Sequence, residues 1–153
     1  MIDRKQLSEL IEVVLTGLGL YSQAALALLL GTAAQESRLG TYIKQIGKGP
    51  ALGIFQMEPA TEQDIWRNYL DYHPELAEKI KAVTGVRGPG GQLYFNLAYQ
   101  VAMARVHYLR VSAPLPPADD LPALAGYWKK YYNTALGAGT VEEFKRNYLA
   151  MVA

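Results

Sequence analysis

The chain has 153 residues, half of them hydrophobic and 19% charged, which suits one compact domain with a substantial core and is short for two. Fifteen Lys and Arg against 14 Asp and Glu give a net charge of +1 with no basic stripe, so a nucleic-acid partner is not expected. The absence of cysteine excludes disulfides, thiolate chemistry, iron–sulfur clusters and cysteine-bound zinc.

The opening segment MIDRKQLSEL lacks the basic start, apolar centre and small-residue cleavage site of a secretory signal. Asp3 is placed to cap a first helix that runs to about Leu18, with Leu7, Leu10, Ile11, Val14 and Leu15 at helical spacing and Gly19 ending the pattern. Ser22 caps a second helix, marked by Leu26, Leu29, Leu30 and Ala33. Its other faces are alanine and leucine too, the pattern of a helix buried on all sides. The apolar run AALALLLGTAA falls well short of the ~20 residues that span a bilayer, so no membrane insertion is expected.

Between Gly40 and Pro59 glycines and prolines are too dense for a helix, so residues near 40–58 are expected to form an irregular loop or small β-hairpin. A third helix is expected from about Ala60 to Tyr69. A fourth starts with Pro74 at its first position and stops near Gly85, before the connector GVRGPGG. Gln92 to about Arg110 reads as a long core helix. After the proline-rich SAPLPPADDLP, Asp119 or Asp120 caps a helix to about Tyr132, and a last helix covers roughly 141–151 with Phe144, Tyr148 and Met151 on one side. The expectation is an all-α fold of six or seven helices, with the irregular excursion walling a cleft. No internal repeat or heptad series is present.

One carboxylate stands out. Glu36 follows Leu29 and Ala33 on the buried stripe of the second helix, in its last turn before Gly40. Desolvation and the negative end of the helix dipole would both raise its pKa, as a general acid near neutral pH requires. The competing reading is a solvated residue at a helix end. His73 and His107 lack carboxylate neighbours at metal-ligand spacing, and the glycines at 47, 49 and 53 lack a phosphate-loop lysine. Neither a metal nor a cofactor is expected.

Glu36-Ser37 is followed by Pro50-Ala51-Leu52-Gly53-Ile54-Phe55-Gln56-Met57-Glu58-Pro59-Ala60-Thr61, and later by Tyr132-Asn133. In this order the three segments resemble the motifs of the soluble lytic transglycosylases and goose-type lysozymes of the lysozyme-like superfamily. Those motifs are a Glu-Ser pair ending a helix, a glycine-rich segment G-x-x-G-h-h-Q-h-x-P-x-T with h apolar, and a late Tyr-Asn pair. The resemblance extends over roughly Leu26 to Phe144. The chain departs from the pattern where Pro50 displaces the opening glycine to Gly49, where Glu58 takes a usually apolar place, and where Thr134 follows Tyr-Asn.

The resemblance implies a peptidoglycan-cleaving domain with Glu36 as its catalytic residue. Ser37, Gly53, Ile54, Phe55, Gln56, Tyr132 and Asn133 are then the expected substrate contacts. Gly53 would admit a sugar close to the backbone, Gln56 would meet an acetamido group or Glu36, and Tyr132 would meet Glu36 from the far side. A lytic transglycosylase needs one acid and yields a 1,6-anhydro product, whereas hydrolysis usually asks for a second carboxylate. Glu58 is the candidate for that role, because Glu62 and Asp64 read as first-turn charges favoured by a helix N-terminus. A catalytically silent phage structural protein that binds peptidoglycan is the alternative from another class. The style of the sequence suggests a bacteriophage-encoded monomer, made in the host cytoplasm and acting at the cell wall or carried on the virion.

Overall fold

In the computed structural model, which describes residues 1–133 and 137–153, the chain is a single compact, mainly α domain. Seven α-helices are present among these residues: α1 (Arg4–Leu18), α2 (Gln23–Ser37), α3 (Pro59–Asn68), α4 (Pro74–Thr84), α5 (Leu97–Leu109), α6 (Leu121–Trp128) and α7 (Val141–Met151). The excursion between α2 and α3 contains two isolated antiparallel bridges, Lys44 with Leu52 and Leu52 with Met57, and no regular strand.

Helix ends follow the local chemistry of the sequence. The Asp3 carboxylate accepts from the Gln6 amide, the Ser22 hydroxyl from Ala25, Asp120 from Ala123 and Thr140 from Glu143. Gly19 and Gly85 close α1 and α4 in the left-handed conformation. Two boundaries differ from expectation. Residues Gln92–Tyr94 form a separate 3₁₀ turn, and Asn96 caps α5 by accepting from the Tyr99 amide. The segment after α6 loosens into a π-helical turn, Lys129–Asn133, in place of a regular helix to Tyr132.

The two helices without a polar face are the central ones. In α2, ten of 15 residues are buried, and in α5 nine of 13, so both are enclosed by the amphipathic helices around them. Packing of α7 on α2 depends on Gly31, where a Cβ would come within 2.4 Å of Phe144 Cζ. Trp128, Tyr99, Tyr108, Phe55 and Phe144 are the largest fully buried side chains. No helix among the described residues is long and apolar enough to cross a membrane.

Candidate active site

Glu36 lies on the last turn of α2, whose end is tightly bent: Arg38, Leu39 and Gly40 all have positive φ, at 50°, 52° and 80°. The turn therefore begins two residues before the expected Gly40. Ser37 holds it. Its hydroxyl donates to the Ile54 carbonyl at 2.5 Å and accepts from the Gly40 amide at 2.9 Å, tying the end of α2 to the 50–58 loop. From α6, Trp128 donates its indole N–H to Glu36 Oε2 at 3.0 Å. Burial pushes the Glu36 carboxyl up to about 7 from 4.5, with the Trp128 bond pulling the other way. Burial is the operative cause here.

Glu36 opens into a cavity of about 520 Å³. Tyr42, Gln45 and Ile46 from the excursion form part of the wall, and Gln56, Glu58 and Thr61 continue it into α3. His107 on α5 and Tyr132 with Asn133 from the π turn line it as well. The Tyr132 hydroxyl donates to the Phe55 carbonyl at 2.6 Å, so its proton is engaged there and not at Glu36. Lys129 spends its three protons on Asn133 Oδ1 and the Gly137 and Gly139 carbonyls, which fixes the segment carrying Asn133. Thr134 lies outside the described residues.

Four of the expected substrate contacts have other work. Ser37, Gly53, Ile54 and Phe55 are buried and do not line the cavity. Ile54 donates its amide to Gln100 Oε1, and the Phe55 side chain is core. Gly53, at φ +78°, is required because a Cβ would come within 2.6 Å of Gln100 Cδ and 2.8 Å of the Leu93 carbonyl oxygen. The close approach it permits is to α5 and its preceding turn, not to a sugar. Gln56 does line the cavity, and its side chain donates to the Gly53 carbonyl, which steadies the loop at a non-glycine φ of 48°.

Among the carboxylates, Glu58 is exposed and lines the cavity from the N-cap position of α3, where it makes no capping bond. Asp64 does not line it. It bonds Asn68 and pairs with Arg110 at 2.8 Å, and these bonds hold its carboxyl below the usual range. Glu62 does lie in the first turn of α3, as expected, but it is turned inward. It is 4% exposed and accepts from the Tyr99 hydroxyl at 2.5 Å, while Trp66 Nε1 donates to that same hydroxyl oxygen.

Two features of the site are not among the site residues expected from the sequence. Trp128 meets Glu36 only because α6 packs against α2, across 92 residues of chain. His107, considered and set aside in the sequence as a metal ligand, lines the cavity. Arg110 lies 3.3 Å from His107 Nδ1, and since a guanidinium only donates, Nδ1 is the acceptor and the ring proton sits on Nε2. Burial, aided by the Arg110 cation, pushes the imidazole down to about 4, so it is neutral at physiological pH. The pattern His107-x-x-Arg110 on one helix face was the available signal.

The arrangement places one carboxyl of raised pKa in a cavity of about 520 Å³ with hydrogen-bonding side chains around it. Among the described residues no group of three or more His, Asp or Glu side chains is arranged to hold a metal ion. No protein-family model, curated protein or solved structure matches this chain.

Proposed function

We propose that the protein is a peptidoglycan lytic transglycosylase that cleaves the β-1,4 bond between N-acetylmuramic acid and N-acetylglucosamine. The observation that carries this reading is Glu36, a cavity carboxyl pushed by burial to about 7 and oriented by the Trp128 indole. The resemblance of the Glu36-Ser37, Pro50–Thr61 and Tyr132-Asn133 segments supports it.

Protonated Glu36 gives its proton to the glycosidic oxygen as the bond to C1 breaks, leaving oxocarbenium character on the muramic ring. The resulting carboxylate then takes the proton of that sugar's 6-hydroxyl while O6 bonds to C1. One residue serves as acid and then as base, which is why a pKa near neutrality suits the task. Gln56, Asn133 and neutral His107 supply hydrogen-bonding groups for the acetamido and hydroxyl groups of the strand.

Hydrolysis is the second reading, favoured by one observation: exposed Glu58 shares the cavity and would have to activate water. Mass spectrometry of soluble products from isolated Gram-negative peptidoglycan separates the two. Products ending in 1,6-anhydro-muramic acid with the wild type and not with Glu36→Gln are the expected result. Reducing-end products would move the assignment to a muramidase. An absence of products would leave a silent peptidoglycan-binding protein. The same digestion, repeated on whole cells from within and without, tests action as an endolysin against action from a virion.

A further inference from the structure

A second cavity, of about 600 Å³, opens between α3 and the Arg87–Gly91 loop. Both cavities draw on the opening turn of α3, where Glu58 and Thr61 line the first while Pro59 and Glu62 line the second. Glu62 is its inner group. One carboxyl oxygen is held by Tyr99; the other has no hydrogen-bond partner among the described residues, yet it is not among the buried polar atoms sealed from solvent. The free oxygen therefore faces the cavity that Glu62 lines.

A carboxyl almost wholly buried, with one oxygen satisfied and one open, calls for a donor, and a cation is the strongest available. Burial holds Glu62 above the ordinary carboxylate range despite the Tyr99 bond, so an incoming ammonium would draw it into the ionised form. The rim carries two guanidinium groups, Arg67 and Arg87, against one carboxylate, Asp71. Arg67 has no ion-pair partner among the described residues, and Arg87 lies 5.9 Å over the Trp66 ring with its Nε on exposed Glu78. Neutral sugar would leave both the inner acid and the outer guanidinium unmatched.

We propose that this cavity binds a short peptide that carries a free amine and a free carboxylate, the amine on Glu62 and the carboxylate on Arg67. This rests on the glycan-cleaving reading, in which such a peptide is the substituent of the strand held in the neighbouring cavity. A role of Glu62 confined to anchoring Tyr99 predicts no binding.

The test is a titration of ¹⁵N-labelled protein with a synthetic stem tetrapeptide bearing one free side-chain amine and a free C-terminal carboxylate. Amide shifts are expected at Gln63, Arg67, Arg87 and Gly88. Acetylating the amine, or amidating the carboxylate, should weaken binding by about tenfold each, a loss of ~1.4 kcal/mol. Arg67→Ala, a change at an exposed residue that leaves the core intact, should weaken the free-carboxylate peptide about tenfold and leave the amidated one unchanged. Equal affinity for free and acetylated peptides, or shifts confined to the first cavity, overturns the proposal. Peptide binding without glycan cleavage would sink the transglycosylase reading and keep this site. Cleavage with no peptide shifts would remove this site alone.

Discussion

At the scale of single residues, the proposed chemistry rests on how Glu36 keeps a proton near neutral pH. Burial raises the carboxyl and the Trp128 N–H opposes that rise, so the two set its value together. Glu36→Gln is expected to reduce product formation by at least about 10³-fold, within the range seen for loss of general acid–base groups. Trp128→Phe removes the donor that favours the charged form, so the pKa of Glu36 should climb further. Because the first step of the proposed reaction needs the protonated acid, the alkaline limb of the pH–rate profile should move to higher pH in that variant. An unmoved limb would mean that the indole does not tune the acid. Glu36 was legible because its place on a stripe of Leu29 and Ala33 is a local property. Trp128 was not, since nothing within its own helix points to a residue 92 positions earlier.

At the scale of elements, the glycine-rich segment acts as a scaffold that joins three helices. Ser37 at the end of α2, Gln100 on α5 and Tyr132 on the π turn each bond a backbone group of Ile54 or Phe55. Gly53→Ala forces a Cβ against Gln100 and the Leu93 carbonyl at φ +78°, and urea denaturation should show a loss of at least ~2 kcal/mol. Ser37→Ala leaves the buried Ile54 carbonyl and Gly40 amide without that partner, for an expected loss of about 1–3 kcal/mol. If either variant kept wild-type stability and lost only substrate affinity, these residues would return to the cavity wall. The irregular, turn-rich character of the segment was legible from its glycines and prolines. Its direction was not, because the same glycine admits either a ligand or a neighbouring backbone, and only the position of α5 decides between them.

At the scale of the whole molecule, two half-buried groups titrate in opposite senses. Glu36 binds its proton more tightly folded than unfolded, so its contribution falls as pH rises from 4.5 through about 7. His107 binds its proton less tightly folded, at about 4 against 6.5, so its contribution rises with pH across that interval. The slopes nearly cancel, and these two groups should leave wild-type stability flat in pH. Each single variant exposes the other group. Glu36→Gln should gain ~3 kcal/mol above pH 7 and become steadily less stable as pH falls from 6.5 to 4. His107→Gln should show the reverse slope between 4.5 and 7. Melting temperatures across pH 4 to 8 check both, and parallel curves for the three proteins would contradict the assigned shifts.

Local chemistry in the chain determined the helices, because caps at Asp3, Ser22, Asp120 and Thr140 and apolar spacing act within a few residues. It also marked the two central helices, since α2 and α5 carry apolar residues on every side. Only the tertiary structure decided which motif residues face the cavity and which face the core. It turned Glu62 inward onto Tyr99, a pairing between α3 and α5 that spacing within α3 does not encode. It also gave His107 its tautomer and Glu36 its Trp128 partner. Burial and charge proximity belong to how helices meet, and they set pKa values and hydrogen bonds that no single segment of the chain contains.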